Sequence, residues 1–310
     1  FVLLFSLLMY SNIMSQTLPN YSDIIELRKK IEQGTELKST LKEVENRLAS
    51  PEAQKDPELK AALLMMNLVN SSKLKDNTAN EELDFMAILD AEIKDQETEG
   101  NEVVKAYLSG FAYNLLSDYQ IDNSWKINRR KDENFEFNKL NTWKKEDFER
   151  ESARYLKQVL EAKTKLKQRS FVHGILYDLN MFENPGITNN YQAVLSNLYQ
   201  KHNRKLNRNL NANASELVLA FSGKSTLPEL KTSFELYSAY LSTFSNPNLK
   251  SQLKFEYWKM IANINPSPMV DETHRKFVEQ IDIEESQTSA LMKAMTLAVM
   301  LEKEANAISW

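Results

Sequence analysis

Apolar side chains recur every three or four residues along most of the chain, a spacing that places them on one face of an α-helix. No segment of comparable length alternates between apolar and polar residues, as a half-buried strand would. Stripes are formed by Leu37, Leu41, Val44 and Leu48, by Val104, Leu108, Phe111, Leu115 and Tyr119, by Leu230, Phe234, Tyr237 and Leu241, by Leu253, Tyr257, Met260 and Ile264, and by Leu291, Met295, Ala298 and Leu301. The pattern predicts an all-α protein.

Short polar links join the predicted helices, and such links make consecutive helices pack antiparallel. Asp56 and Asn246 each offer a capping side chain before a proline, and Thr226 with Glu229 predicts a capping box. The predicted helices span 20–33, 36–49, 57–74, 80–96, 101–119, 143–167, 189–207, 213–221, 227–244, 247–264, 270–280 and 285–307. We expect an array of antiparallel helical hairpins, either a bundle or a degenerate α-solenoid related to tetratricopeptide arrays, although the period of that repeat does not recur strictly.

Residues 1–9 form an uncharged apolar run, which is followed by small or polar residues up to Gln16. This composition predicts an export signal over residues 1–16 that lacks its basic start, with a buried N-terminal helix as the alternative. The run is far shorter than the ~20 apolar residues of a membrane-spanning helix. We therefore expect an exported chain, periplasmic or associated with the cell envelope, that has no membrane span once the signal is removed.

Two helical halves are expected after the signal. The first is an N-terminal helical domain over residues 17–180, and the second is a further set of helical hairpins over 181–310. Because the chain begins with Phe1 and stops at Trp310 directly after a predicted helix, we also expect it to be a fragment of a longer protein.

Charge and cysteine content narrow the range of functions. Thirty-nine basic and 43 acidic residues give a net charge of −4, so no general field attracts nucleic acid, and we expect a protein partner that is recognised locally. The chain has no cysteine, which excludes disulfides, thiolate metal sites, a cysteine nucleophile and a cysteine thioester within these residues.

One segment is similar to the end of a phosphate-binding loop: Ser222-Gly223-Lys224-Ser225-Thr226, after an apolar run at 217–221 that a strand would also fit. The full motif requires a glycine at position 218, where this chain has valine. We therefore predict a helix C-cap at Gly223, followed by the capping box at Thr226.

The three histidines, His173, His202 and His274, are far apart, and none lies at helical ligand spacing from another metal-binding side chain. We predict no metal site, no cofactor and no catalytic residue. An enzyme would require a cleft in which titratable groups converge through tertiary contacts.

Two basic clusters accompany aromatic side chains. Lys126, Arg129, Arg130 and Lys131 follow Trp125, and Arg204, Lys205 and Arg208 follow His202. Such clusters can bind nucleic acid, but acidic or neutral segments flank both and the net charge is negative. We expect solvated faces, or ion pairs with residues such as Asp132, Glu133 and Glu136.

The segment 120–143 has the least ordinary composition, since Trp125 and Trp143 bracket an irregular polar stretch. Large aromatic side chains in a long connection usually fix that connection to the helices beside it. Asn141 or Thr142 can cap the helix that follows. We expect structural anchoring first and partner contact second, and the residues concerned are Trp125, Arg129, Arg130 and Trp143.

The same segment carries a family resemblance. Its motifs are Tyr113-Asn114-Leu115-Leu116, Asn123-Ser124-Trp125-Lys126-Ile127-Asn128-Arg129-Arg130, Leu140-Asn141-Thr142-Trp143 and, further on, Leu176-Tyr177-Asp178-Leu179. Over residues 1–180 the chain resembles the helical N-terminal region of large bacterial alpha-2-macroglobulin-like proteins. Arg129-Arg130-Lys131 departs from the Arg-Thr that the pattern has at this place. The resemblance adds Tyr177 to the structural or partner-contact candidates.

The resemblance implies a large exported protein that traps proteases when its bait segment is cut, with β-sandwich domains and, in many members, a thioester. None of the thioester residues is present, so no functional residue is carried over. The chain would correspond to the helical region before those domains, with a scaffolding or docking role. The alternative is a free-standing secreted helical-repeat module that binds peptides, proteins or glycans in a concave groove lined by Tyr, Trp and Asn.

Overall fold

The computed structural model of the chain describes residues 22–75, 85–130, 135–169, 187–210 and 212–264. Within these residues the protein is all-helical and contains no strand, which confirms the all-α prediction. The helices are α1 (Ser22–Gln33), α2 (Leu37–Leu48), α3 (Pro51–Lys55), α4 (Pro57–Lys75), α5 (Phe85–Thr98), α6 (Glu102–Ile127), α7 (Lys145–Glu161), α8 (Lys163–Lys167), α9 (Asn190–Asn209), α10 (Ala214–Phe221), α11 (Pro228–Leu241) and α12 (Pro247–Ile264), with a 3₁₀ turn at Leu140–Thr142.

Two of the predicted helix starts are confirmed in detail. The Asp56 carboxylate accepts hydrogen bonds from the amides of Glu58 at 3.1 Å and Leu59 at 3.3 Å. The Asn246 side chain accepts one from the amide of Asn248 at 2.9 Å. In both places a proline follows the capping residue and has no amide hydrogen that would need a partner.

The irregular stretch predicted from residue 120 is wrong over its first part, because α6 continues to Ile127. Asn123 departs from helical geometry, with φ −115° and ψ 17°, and its side-chain amide donates to the carbonyl oxygen of Tyr119 at 3.1 Å. The kink is thus satisfied locally, and the burial of Gln120 and Ile127 favours continuation of the helix.

Other differences lie at helix ends. The short helix α3 is absent from the prediction, and the predicted helix over 143–167 begins later, at Lys145, and is interrupted at Ala162. The amide of Lys144 donates to the carboxylate of Asp147 at 3.0 Å, so neither Asn141 nor Thr142 caps this helix. The helices predicted over 270–280 and 285–307, the signal over 1–16 and the domain boundary at 180–181 lie outside the described residues.

The described residues divide into two compact units, and the division falls inside α6, between Leu108 and Ser109. In the first unit, α4 packs against α1, α2, α3 and α5. Its core contains the buried side chains of Ile24, Leu27, Ile31, Val44, Ala53, Leu59, Ala62, Leu63 and Met66. Burial of this apolar surface is the main stabilising contribution to the unit.

In the second unit, α9 packs against α8, α11 and α12, and α11 also contacts α7. Polar side chains tie α6 to its neighbours, because Ser109 donates to Gln158 of α7 at 2.8 Å and Lys201 of α9 pairs with Asp118 at 2.6 Å. Helices α6, α7, α9 and α11 therefore bring their side chains to one region of this unit. Among the described residues, no helix is long and apolar enough to span a membrane.

Candidate functional site

Trp143 is the centre of an aromatic cluster, which we define as Phe135, Phe137, Trp143 and Phe148. The Trp143 side chain is completely buried, and its ring centroid lies 5.3 Å from that of Phe135, 5.6 Å from Phe137 and 5.1 Å from Phe148. Its indole N–H donates to the carbonyl oxygen of Glu136 at 2.9 Å. The cluster therefore fixes the connection around residues 135–143 to the start of α7.

Arg130 strengthens this connection from the end of α6. Its Nη1 atom donates to the carbonyl oxygens of Leu140 at 2.9 Å and Trp143 at 2.7 Å. Charged donors form stronger hydrogen bonds than neutral ones. Arg130 and Trp143 are thus brought together by the structure and share a positioning role.

Trp125 and Arg129 have a different setting. The Trp125 side chain is 58% exposed, and two cations lie over its ring, with Lys126 Nζ at 5.5 Å and Arg129 Cζ at 5.7 Å from the centroid. Both cationic residues are exposed. We call Trp125, Lys126 and Arg129 the aromatic-cationic patch. Tyr177, the remaining sequence candidate, lies outside the described residues, as do His173 and His274.

The segment 222–226 forms a helix end. Gly223 has φ 69°. Its amide donates to the carbonyl oxygen of Ala220 at 3.2 Å, and the amide of Lys224 donates to the carbonyl oxygen of Leu219 at 2.8 Å. These are the two hydrogen bonds of a Schellman motif. The predicted C-cap at Gly223 is therefore confirmed.

The hydroxyl groups that would bind a phosphate in this segment donate their hydrogen bonds to the carboxylate of Glu216 instead. Glu216 accepts hydrogen bonds from Ser225 Oγ at 2.6 Å, from the amide of Thr226 at 2.8 Å and from Thr226 Oγ1 at 2.5 Å. The bonds from Ser225 and Thr226 lower the pKa of Glu216 to about 2. The capping box predicted at Thr226 is wrong, because the N-cap residue of α11 is Leu227 and the Glu229 side chain points to Lys145.

A pocket of about 330 Å³ lies among α6, α7, α9 and α11. We call it the charged pocket, and its buried or half-buried polar lining consists of Tyr113, Glu149, Ser152, His202, Lys205, Glu229 and Thr232. Lys145 adjoins it, with Nζ 2.6 Å from a carboxylate oxygen of Glu229 and 3.7 Å from Oε1 of Glu149. The solvated face expected around Lys205 is wrong for that side chain, which is only 7% exposed.

Burial and neighbouring charges shift the pKa values of the titratable groups in this pocket. Burial, together with the negative charge of Glu229, raises the pKa of Glu149 to about 7. Burial lowers the pKa of Lys205 to about 8. Burial also raises the pKa of Glu229, but the hydrogen bonds from Lys145, from a backbone amide and from Glu149, together with the charge of Lys145, outweigh burial and leave this pKa below its ordinary value. The cleft with convergent titratable groups that an enzyme would require is therefore present in geometry.

His202 has both ring nitrogens occupied. Nε2 lies 2.9 Å from the carbonyl oxygen of Glu229, and Nδ1 lies 2.6 Å from the Tyr113 hydroxyl. Because a carbonyl oxygen only accepts, we assign the proton to Nε2, so that Nδ1 accepts from Tyr113. Burial and the charge of Lys205 lower the pKa of His202 to about 3. The ring therefore joins α6, α9 and α11 as a neutral group, with no free nitrogen to act as a base.

We expect acid to destabilise the protein partly through His202. Its ordinary pKa of about 6.5 applies in the unfolded chain, whereas the folded pKa is about 3, so between these values only the unfolded state binds the proton. The contribution of His202 to the free energy of unfolding therefore falls by about 1.4 kcal/mol for each pH unit below 6.5. Urea denaturation of the wild type and of His202→Gln should show a difference in unfolding free energy that changes with this slope between pH 6.5 and 4. Parallel pH profiles would contradict it.

Among the described residues, no group of three or more His, Asp or Glu side chains is arranged to hold a metal ion. No protein-family model, curated protein or solved structure matches the chain. In its described residues, the chain is an all-helical protein that carries an exposed aromatic-cationic patch and a charged pocket. The resemblance to alpha-2-macroglobulin-like proteins rests on the sequence motifs.

Proposed function

We propose that this chain is a non-catalytic helical interaction region at the front of an exported alpha-2-macroglobulin-like protein that traps proteases. Its helices act as a degenerate array of antiparallel hairpins, and its partner is an envelope component or another part of the same protein. The motifs around Trp125 and Trp143 support the family. The occupied nitrogens of His202 and the pairing of Lys145 with Glu229 support a non-catalytic role.

The observation that carries the proposal is the aromatic-cationic patch. Trp125 is a large side chain that is mostly exposed, while Arg130 and the aromatic cluster hold the neighbouring connection in place. Tryptophan and arginine are the residues most often found as energetic centres of interfaces. The two cations beside Trp125 favour a partner surface that is acidic around an apolar centre.

A photo-crosslinking amino acid at position 125 tests the docking role in cells that produce the protein. We expect a discrete higher-mass adduct at position 125 and none at position 157, where the Lys157 side chain is 77% exposed in the same unit. Arg129→Glu should reduce the adduct because it reverses the charge beside Trp125. Equal adducts at both positions, or an adduct unaffected by Arg129→Glu, would contradict the proposal.

The family assignment has a separate test in the reading frame that encodes the chain. We expect β-rich macroglobulin domains and a bait region to follow Trp310. A stop codon directly after Trp310 would instead favour the second candidate function.

That second candidate is a free-standing secreted helical-repeat module that binds peptides, proteins or glycans. One observation favours it: a pocket of about 350 Å³ whose lining includes Tyr199, Asn203, Arg204 and Tyr240. Tyrosine and asparagine side chains suit such ligands, because they combine apolar area with hydrogen-bonding groups. Tyr240→Ala should then weaken binding of the ligand, whereas Arg129→Glu should leave it unchanged.

A further inference from the structure

Two polar groups with unused hydrogen-bonding capacity converge on the charged pocket. Lys205 is 7% exposed, and among the described residues its ammonium forms no ion pair or hydrogen bond. Ser152 Oγ is buried and lacks a hydrogen-bond partner in the described part of the chain. Glu149, beside them, lies 3.7 Å from Lys145 Nζ and shares a hydrogen bond with Glu229. Buried polar groups are nearly always satisfied, and each unsatisfied one is costly. The convergence of two such groups in one pocket indicates a ligand that would satisfy them.

The charges around the pocket favour an anion. Lys145 and Glu229 neutralise each other at 2.6 Å, and Glu149 carries no charge when it is protonated. The charge of Lys205 then remains without a partner. Arg150 at the rim is engaged by Asp147 at 2.8 Å and by Glu151 at 3.0 Å, so it adds no free cation to the pocket.

A single unpaired cation matches a single negative charge, and a volume of about 330 Å³ is at the small end of ligand pockets. We propose that the charged pocket binds a small carboxylate, which accepts hydrogen bonds from the Lys205 ammonium and the Ser152 hydroxyl. Where phosphate is a dianion, it would require more positive charge than one lysine supplies, and the titration distinguishes a carboxylate from the phosphate monoanion that prevails at pH 6. An amine would meet the cations of Lys205 and Lys145.

The proposal fixes a pH dependence. The groups that face Glu149 are Lys145, Glu146 and Arg150 on its own helix, His202 and Lys205 on α9, Glu229 on α11 and Tyr113 on α6. His202 and Tyr113 are neutral throughout the relevant range, because burial lowers the pKa of the first and raises that of the second. The pKa of Glu149 is about 7 and that of Lys205 about 8. Binding should therefore strengthen as the pH falls through 7 and weaken above 8.

Titration of the whole chain with propionate, benzoate, inorganic phosphate and butylamine, followed by calorimetry or NMR, tests the proposal. We expect saturable binding of the two carboxylates at pH 6. Lys205→Met should weaken it about tenfold or more, since a charge-assisted hydrogen bond is lost, and Ser152→Ala should weaken it by a smaller factor. Lys231→Met, which alters an exposed lysine on α11, is the matched control and should bind as the wild type does.

Glu149→Gln provides a readout that does not depend on the folding of the lysine variant. Glutamine keeps a donor but cannot ionise, so this variant should bind the carboxylates with little change between pH 6 and 8. Preference for phosphate or butylamine, an unchanged pH dependence in Glu149→Gln, or absence of saturable binding would overturn the proposal; absence would mean that water fills the pocket. The crosslink at position 125 is independent of this site and should persist in Lys205→Met.

Discussion

Replacing Trp143 by alanine is expected to lower the free energy of unfolding by about 3 to 5 kcal/mol. The indole is completely buried, contacts three phenylalanine rings and donates a hydrogen bond to Glu136. Alanine would leave a cavity and an unpaired carbonyl oxygen. The measurement is urea denaturation followed by far-UV circular dichroism, and the change belongs to the transition of the second unit.

The matched control is the other tryptophan of the same segment. Trp125→Ala removes a side chain that is 58% exposed and should change the unfolding free energy by no more than about 0.5 kcal/mol. With the crosslinking amino acid placed at the exposed position 128 beside the patch, Trp125→Ala should nevertheless reduce the adduct, which Trp143→Ala would affect only through loss of folding. Similar destabilisation by both variants would contradict the assignment of anchoring to Trp143 and of contact to Trp125.

The helices themselves follow from the sequence because apolar spacing is a local property. Leu253, Tyr257 and Met260 are buried as their spacing predicts. In α6 the prediction is less accurate: Leu115 was placed on the buried stripe, yet it is half-buried, whereas Leu116 and Ser117 are buried. Side chains of α7 and α9 both contact α6, so its buried face is wider than one stripe and includes polar residues.

The charged pocket was not predictable from local pattern, because its residues come from four helices and meet only through tertiary packing. Carboxylates outside an apolar stripe usually face solvent, so spacing alone gives Glu149 no role in a buried site. One local signal does exist. His202 and Lys205 follow Leu198 and precede Leu206 at helical spacing, and all four are buried. Polar residues inside an apolar stripe indicate buried polar contacts.

The segment 222–226 shows how one local rule succeeds where the next one fails. Gly223 takes the positive φ that a C-cap needs, and this requirement depends only on the backbone. The capping box at Thr226 depended instead on which carboxylate reaches the hydroxyl. The Thr226 hydroxyl donates to Glu216 on the preceding helix, and the Glu229 carboxylate forms an ion pair with Lys145. Competition between partners is a tertiary property that sequence spacing does not record.

Replacing Gly223 by alanine is expected to destabilise the second unit by about 2 to 5 kcal/mol, the sum of two costs. Its φ of 69° is unfavourable for any residue with a Cβ atom, and the added Cβ would overlap the ring of Phe234. The centroid of the half-buried Phe234 ring lies 6.4 Å from that of Tyr257 and 6.0 Å from that of Tyr237, so a shift of this ring would disturb two aromatic contacts.

Gly100→Ala separates the two costs, because Gly100 has φ 74° but nothing within 4 Å of an added Cβ. This control should lower the free energy of unfolding by only about 1 to 2 kcal/mol, which is the cost of the positive φ for a residue with a Cβ atom. Urea denaturation gives the loss of unfolding free energy in each variant, in the transition of the first unit for Gly100→Ala and of the second unit for Gly223→Ala. The difference between the two losses measures the steric contribution of Phe234. Gly223→Ala,Phe234→Ala should recover little, since truncating Phe234 opens a cavity. Equal losses in the two single variants would show that Phe234 moves aside freely and that the positive φ alone requires glycine at position 223.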